Sequence, residues 1–210
     1  MRSPFLRSAF TVPATVAAAV SLALAGAGPA AADVHRPAPA AARGTAAAHG
    51  FTPLTDLFAQ RLLLADKVAA AKYGTATPID DPVREAQILA DVRARAAGTG
   101  LDPEAVAAVF RNQIEANKLV QRGLYARWDA HPGERPTERP DLVKEVRPAL
   151  DRITTLLLAA LRETERTRAV PSCGPRLAAA AGWSAHSHRL DALHLRGLGR
   201  ALPSVCAYAW

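Results

Sequence analysis

The feature that most restricts the fold of this chain is a helical repeat in its first third. Between residues 54 and 72, the positions that a packed helix turns inward follow one another at alternating steps of four and three residues. They are Leu54, Phe58, Arg61, Ala65, Val68 and Lys72. The repeat predicts a helix in a bundle, yet an arginine and a lysine occupy two positions where apolar side chains are usual.

Composition and helix signals extend the helical interpretation to the rest of the chain. Half of the 210 residues are hydrophobic, only 5% are aromatic, and no segment alternates as a β-strand does. An acidic cap followed by proline begins a helix near residue 80 and another near residue 101. We predict an all-α fold, an elongated bundle of about six helices. The helices are expected over about 53–73, 80–98, 101–131, 141–169, 175–181 and 183–201, with a loop over 131–140.

The N-terminal residues have the pattern of a targeting segment. Two arginines precede an uncharged, mostly apolar run over 9–27, and small residues before Asp33 offer a cleavage site. A retained membrane anchor is the alternative for this run. We predict export, with a secreted or periplasmic mature protein that has no membrane association after cleavage. The predicted parts are a signal peptide over 1–32, a disordered leader over 33–50 and a helical domain over 51–210.

The excess of positive charge does not indicate nucleic acid as a partner. The formal net charge is +7, from 26 basic and 19 acidic residues. The basic residues are scattered among the acidic ones, form no block of five, and do not alternate with aromatic residues. We therefore expect no nucleic-acid binding.

The two cysteines are expected to form a disulfide. Cys173 and Cys206 are the only cysteines, and an exported protein meets an oxidising compartment. A bond between them would join the C-terminal tail to an earlier helix, and two free thiols are the alternative.

Charged and amide side chains on inward faces suggest a site for an anion. Arg61 and Lys72 share one face of the first helix, roughly 16 Å apart. Asn117 and Gln121 stand one turn apart on the inward stripe of the third helix. Buried cations need anionic partners or an anionic ligand, and the seam offers few carboxylates. The alternative is that the long side chains extend to solvent at the edges of the helices.

The order of these residues resembles the all-helical AroQ class of chorismate mutases, and further features resemble its secreted, γ-type branch. Ten residues separate Arg61 from Lys72, eleven separate Lys72 from Arg84-Glu85, and a long helix with Asn117 and Gln121 follows. The resemblance covers about 51–206. Its other elements are the signal peptide, Arg61-Leu62, Ala65-Asp66, Pro78-Ile79-Asp80, Leu101-Asp102-Pro103, Val109-Phe110, Gln113-Ile114, Pro140-Asp141-Leu142 and the pair Cys173 and Cys206.

The resemblance implies conversion of chorismate to prephenate by a [3,3] rearrangement, without a cofactor or a metal. It implies that arginine side chains bind the two substrate carboxylates and that two donors meet the ether oxygen. The implied roles are carboxylate binding by Arg61 and Arg147, donation to the ether oxygen by Lys72 and Gln121, support by Arg84, acceptance from the substrate hydroxyl by Glu85, and assistance at a carboxylate by Asn117. Asp81 is a further candidate near the hydroxyl.

Two implied roles carry particular consequences. Some members of the class have glutamate where this chain has Gln121, and a carboxyl must be protonated to donate, so an amide predicts activity sustained at neutral and mildly alkaline pH. Arg147 follows a loop of variable length, so Lys144 or Arg152 are alternatives for its role. The fourth helix can supply this cation, and the γ-type resemblance implies a site within one chain, even in the homodimer that we predict.

The histidines, tryptophans and serines of the chain give weaker support for other kinds of site. His186, His188 and His194 suggest a metal site, but their spacing fits surface or capping histidines better. Trp128, Trp183 and Trp210 are expected in core or tail packing. No nucleophile motif surrounds Ser172 or Ser184. The alternative function is an exported helical protein that binds an anionic metabolite without catalysis.

Overall fold

The computed structural model of this chain describes residues 50–207. The predicted signal peptide and the predicted leader up to residue 49 therefore lie outside the described residues, as does Trp210. No helix within 50–207 is both long and apolar enough to cross a membrane.

The described residues form helices and no strand, so the all-α prediction is confirmed. A 3₁₀ turn occupies Pro132–Glu134 in the predicted loop, and a π-helical turn occupies Leu142–Val146. The α-helices are α1 (Thr52–Lys72), α2 (Pro82–Thr99), α3 (Pro103–Ala130), α4 (Arg147–Glu163), α5 (Glu165–Arg168), α6 (Cys173–Ser187) and α7 (Ala192–Ala201).

The helix starts follow the capping signals of the sequence. The Asp81 side chain accepts a hydrogen bond from the backbone N–H of Arg84 at 3.0 Å, at the start of α2. The Asp102 side chain accepts from two backbone N–H groups at the start of α3, at 2.8 and 3.2 Å. Gly100 lies between these helices with a φ of 78°, a left-handed conformation that ends α2. Local chemistry therefore sets the boundary between α2 and α3.

In the second half of the chain, the helices begin and end at residues other than those predicted. The predicted fourth helix begins with the π-helical turn and is interrupted at Thr164, whose hydroxyl donates to the Ala160 carbonyl oxygen at 2.7 Å. The expected break near residue 182 is wrong, because α6 continues to Ser187. The chain turns instead at Arg189, which has a φ of 51°.

Helix α1 is the central element of the core. It packs against α3, α4, α6 and α7, while α2 packs against α3 and α4. Phe58 and Leu62 on α1 are fully buried, and burial of each such side chain contributes about 1.5–3 kcal/mol. A Cβ added at Gly197 of α7 would lie 2.9 Å from Val120 and 3.0 Å from Leu62. The glycine thus lets α7 approach α1 and α3 closely.

The predicted disulfide is present between Cys173 and Cys206. Their Cα atoms are 5.9 Å apart and 33 positions apart in sequence. The bond joins the C-terminal segment to the start of α6. The backbone N–H of Ala207 also donates to the Arg168 carbonyl oxygen at 3.0 Å. Both contacts hold the end of the described chain against the bundle.

Candidate active site

A cavity of about 620 Å³ lies between α1, α2, α3 and the first turns of α4. Polar residues of the inward helix faces meet in its lining. All seven residues of the predicted substrate site contribute to its lining. These residues are Arg61, Lys72, Arg84, Glu85, Asn117, Gln121 and Arg147.

Arg61 is the most unusual side chain of this cavity. Only 5% of it is exposed, and its Nε and Nη1 have no hydrogen-bond partner within residues 50–207. The guanidinium carbon lies 5.8 Å from the centre of the Phe110 ring. Burial lowers the pKa of Arg61 to about 10, although the Asp151 carboxylate acts in the opposite direction. The cavity therefore contains a buried cation without an ion-pair partner among the described residues.

Lys72 supplies a second cation from the end of α1. Its Nζ donates to the Pro78 carbonyl oxygen at 2.9 Å, and it forms no ion pair with any residue of the described chain. Burial lowers its pKa, three carboxylates led by Asp81 act against this, and Arg147 adds to the lowering. Lys72 and Arg147 are thus close enough to repel each other, and an anion between them would relieve that repulsion.

Helix α3 presents amide side chains to the cavity. The Nδ2 of Asn117 donates to the carbonyl oxygens of Arg61 and Gln113, at 3.5 and 3.4 Å, so this amide is held against α1. Gln121 is 4% exposed, and its Oε1 has no partner in the part of the chain that is described. Gln113 is fully buried beneath them and does not line the cavity. Gln121 therefore brings an amide into a buried, polar wall.

Helix α2 brings acidic groups to the same cavity. Asp81 lines it but caps the helix, so one of its oxygens is already engaged with a backbone N–H. Both oxygens of Glu85 lie 3.2 Å from the Nζ of Lys118 on α3. Lys118 also lines the cavity and was not among the predicted site residues. Its spacing of three from Glu115 was the available signal, because that spacing allows an ion pair on a helix.

The cation from α4 is Arg147 rather than one of its neighbours. Arg147 lines the cavity together with Leu142, Val146 and Leu150, whereas Lys144 and Arg152 do not line it. After the π-helical turn, Val146 is buried and Arg147 is exposed, and both side chains line the cavity.

Other predicted candidates lie away from this cavity. Within residues 50–207, no group of three His, Cys, Asp or Glu residues could hold a metal ion. His194 is 5% exposed and is therefore not a surface histidine, but it lies at the capped start of α7, where its backbone N–H donates to the capping residue Asp191 at 2.9 Å. Its ring nitrogens lie 3.0 Å from Asp66 and 2.7 Å from Asp191, and these carboxylates, Asp66 above all, raise its pKa to about 9. His194 therefore joins α7 to α1.

The tryptophans and serines are mostly structural. Trp128 is buried and packs edge-on against Tyr73, with ring centres 5.1 Å apart. Trp183 is 59% exposed, so the prediction of core packing is wrong for it. Ser184 is buried and exchanges a 2.8 Å hydrogen bond with Thr55. Ser172 precedes α6 without a side-chain cap bond.

Comparisons with known proteins agree on one family. The family model described as chorismate mutase type II matches residues 53–122. The secreted chorismate mutase of Mycolicibacterium smegmatis is 36% identical over 154 residues, which are 73% of this chain and 84% of that protein. The secreted chorismate mutase of Mycobacterium tuberculosis is 34% identical over 153 residues, 73% of this chain and 76% of that protein.

Solved structures give the same similarity. The chorismate mutase of Burkholderia phymatum superposes with a TM-score of 0.74 at 35% identity, covering 78% of this chain and 99% of that one. The chorismate mutase of Burkholderia thailandensis superposes with a TM-score of 0.71 at 40% identity, covering 75% and 99%.

Proposed function

We propose a mechanism from the premise that this chain belongs to the chorismate mutase family, whose reaction converts chorismate to prephenate. The observation that carries the mechanism is the buried guanidinium of Arg61, which opens on the cavity without an ion-pair partner in residues 50–207. A buried unpaired cation is costly to a folded protein, so a ligand carboxylate is the partner that explains it.

The reaction requires positioning rather than proton transfer. In a [3,3] rearrangement, one carbon–oxygen bond breaks and one carbon–carbon bond forms within a single molecule, through a chair-like arrangement. Negative charge grows on the ether oxygen as its bond to carbon breaks. The enzyme therefore has to select the reactive conformer and supply hydrogen-bond donors at that oxygen. No cofactor or metal enters the proposed mechanism.

Two arginines bind the two substrate carboxylates in this proposal. Arg61 receives one of them in a dry environment, where a charge-assisted, two-pronged hydrogen bond is strong. Arg147 receives the other at the opening of the cavity. The position of Arg147 in the cavity lining, from which Lys144 and Arg152 are absent, supports this choice.

Lys72 and Gln121 act at the ether oxygen. Lys72 is suited to this role because its ammonium forms no ion pair with the described residues. Gln121 is suited to it because its side chain lines the cavity from α3 and carries an uncharged amide NH2 group that can donate at any pH near neutrality. Glu85 accepts a hydrogen bond from the substrate hydroxyl. Arg84 supports the carboxylate network, and Asn117 holds the wall beside the carboxylate that Arg61 binds.

Turnover by the purified mature protein tests the activity directly. Loss of chorismate absorbance is expected with the wild type. It should be nearly abolished in Arg61→Met and retained in Arg93→Met, whose lost ion pair with Glu104 lies outside the cavity lining. Thermal stabilisation by chorismate without turnover would instead favour the anion-binding alternative.

We propose that each active site lies within one chain. All seven proposed site residues line a cavity of a single chain, which supports this arrangement. The predicted homodimer would then contain two independent sites. Mixing Arg61→Ala with Arg147→Ala chains should leave activity at the level of the separate variants, whereas restored activity would show that the sites are shared.

The chain is exported in this proposal. The relatives from Mycolicibacterium smegmatis and Mycobacterium tuberculosis are secreted chorismate mutases, and the pattern of residues 1–32 is that of a signal peptide. Expression of the full chain in a bacterial host, followed by N-terminal sequencing of the exported product, would locate the cleavage.

A further inference from the structure

Lys118 joins three carboxylates at the side of the cavity, and no role in the mechanism above uses it. Its Nζ lies 3.2 Å from both oxygens of Glu85, 2.6 Å from Glu115 and 3.3 Å from Asp80. Its side chain is only 10% exposed. An ammonium group has three hydrogens to donate, so these three carboxylates saturate it.

Of these carboxylates, Glu85 depends most on Lys118. Asp80 has a second cationic partner, because the Nη2 of Arg122 donates to both of its carboxylate oxygens at 2.7 Å. Glu115 is on the same helix as Lys118 and does not line the cavity. The side chain of Glu85, which does line the cavity, has one other described contact, a 3.4 Å hydrogen bond from the Asp81 backbone N–H.

Lys118 remains charged in this setting. Burial alone would lower its pKa, but the hydrogen-bonded carboxylates outweigh that effect and the pKa is raised. A bare carboxylate at Glu85 would repel the two carboxylates of the substrate. The Lys118 ammonium is in contact with both oxygens of Glu85, so it offsets that charge and fixes the orientation of the carboxylate. The lone pairs of the carboxylate that Lys118 does not occupy can still accept a hydrogen bond.

We propose that Lys118 is a positioning residue that holds Glu85 in the orientation in which it accepts the substrate hydroxyl. The inference rests on the proposed function. It goes beyond it by assigning recognition of the hydroxyl to a pair of side chains, one on α2 and one on α3. The pair favours a substrate with a neutral hydroxyl at that point and disfavours a further anionic group.

The test is a double-substitution cycle on the kinetic constants for chorismate. Lys118→Met should raise KM about tenfold with little change in kcat, because a hydrogen bond present equally in the ground state and the transition state is lost. Glu85→Gln should raise KM similarly. The double variant should have the KM of Glu85→Gln alone, because Lys118 acts through that carboxylate. Lys118→Arg should have a KM close to that of the wild type, because it keeps a cation beside Glu85.

Arg93→Met is the matched control. It removes another cation that joins α2 to α3, through its ion pair with Glu104 at 2.6 Å, but it does not line the cavity. Its KM should equal that of the wild type. Thermal midpoints of all variants identify any that fail to fold. If Lys118→Met does not fold, the KM values of Lys118→Arg and of the double variant are compared with those of the wild type and Glu85→Gln.

The outcomes separate the two proposals. A wild type without turnover refutes the proposed function itself. With an active wild type, the inference is overturned if Lys118→Met raises KM as much in the Glu85→Gln background as alone, if Glu85→Gln leaves KM unchanged, or if Arg93→Met has the same effect as Lys118→Met.

Discussion

Replacing Arg61 by methionine should stabilise the fold while it removes activity. Burial lowers the pKa of Arg61 to about 10, which means that the folded protein holds the charged form at a cost. At about 1.4 kcal/mol for each pKa unit, the difference from the ordinary arginine value corresponds to about 3 kcal/mol. Because the folded-state pKa is the lower one, this cost is fully present below pH 10 and fades only at higher pH.

The net gain should be smaller than that cost. Methionine has a similar length and fits an apolar site, but the contact of the guanidinium with the Phe110 ring is lost. Replacing buried charges by apolar side chains is often stabilising by about 1–4 kcal/mol. We expect Arg61→Met to gain about 2 kcal/mol, which corresponds to a rise in Tm on the order of 4–8 °C for a domain of this size.

Urea unfolding at pH 7 measures this difference, with chorismate turnover measured on the same preparations. Turnover should fall by at least about 10²–10³-fold, the loss usual for one charge-stabilising donor. Arg93→Met, which loses a partly exposed cation, should unfold at nearly the same urea concentration as the wild type. The reasoning is refuted if Arg61→Met is less stable than the wild type at an unchanged m-value, since the buried guanidinium would then be a net structural contributor.

Three further predictions follow from particular contacts. Gln121→Glu should make kcat fall with rising pH, by about 10²–10³-fold once the new carboxyl is ionised and can no longer donate; an unchanged pH profile would exclude Gln121 from the ether oxygen. Cys206→Ser should lower the free energy of unfolding by about 3–4 kcal/mol, the chain entropy of a loop spanning 33 positions, and reduction of the wild type should match it in urea unfolding. His194 has a pKa raised from 6.5 to about 9 by its two aspartate partners, so the stability it contributes is complete below pH 6.5 and is lost as the pH rises through about 9. The stability advantage of the wild type over His194→Gln should therefore shrink by about 2–3 kcal/mol between pH 6 and pH 9.5, and an equal difference at both pH values would refute a charged His194.

Much of the site was predictable because its residues sit on regular helices. Arg61 and Lys72 share a face through the helical period alone, and so do Asn117 and Gln121. The resemblance assigned residues of four helices to one substrate site, and all seven predicted residues line one cavity. Their chemical roles remain proposals, since they depend on how a substrate lies in that cavity.

The residues that sequence reasoning missed depend on contacts between helices. Lys118 follows Asn117 on α3 and was not singled out in the sequence, but the packing of α2 brings Glu85 within 3.2 Å of its ammonium. His194 was predicted to be a surface or capping histidine, but α1 also supplies Asp66 at 3.0 Å from its ring, a contact that the sequence does not indicate. Trp183 shows the reverse error, because no described helix covers that side of α6 and the ring is 59% exposed.

The sequence by itself determined the helical class, the caps at Asp81 and Asp102, and the cations on the inward face of the first helix. These features follow from hydrogen bonds and periodicity within a few turns of chain, which act in the same way wherever the helix is placed. Only the tertiary structure decided that Arg147 rather than Lys144 or Arg152 reaches the cavity, and that Lys118 meets Glu85. Those outcomes depend on how helices distant in sequence cross, because side chains contact one another, and charges become buried or paired, only after the helices have packed.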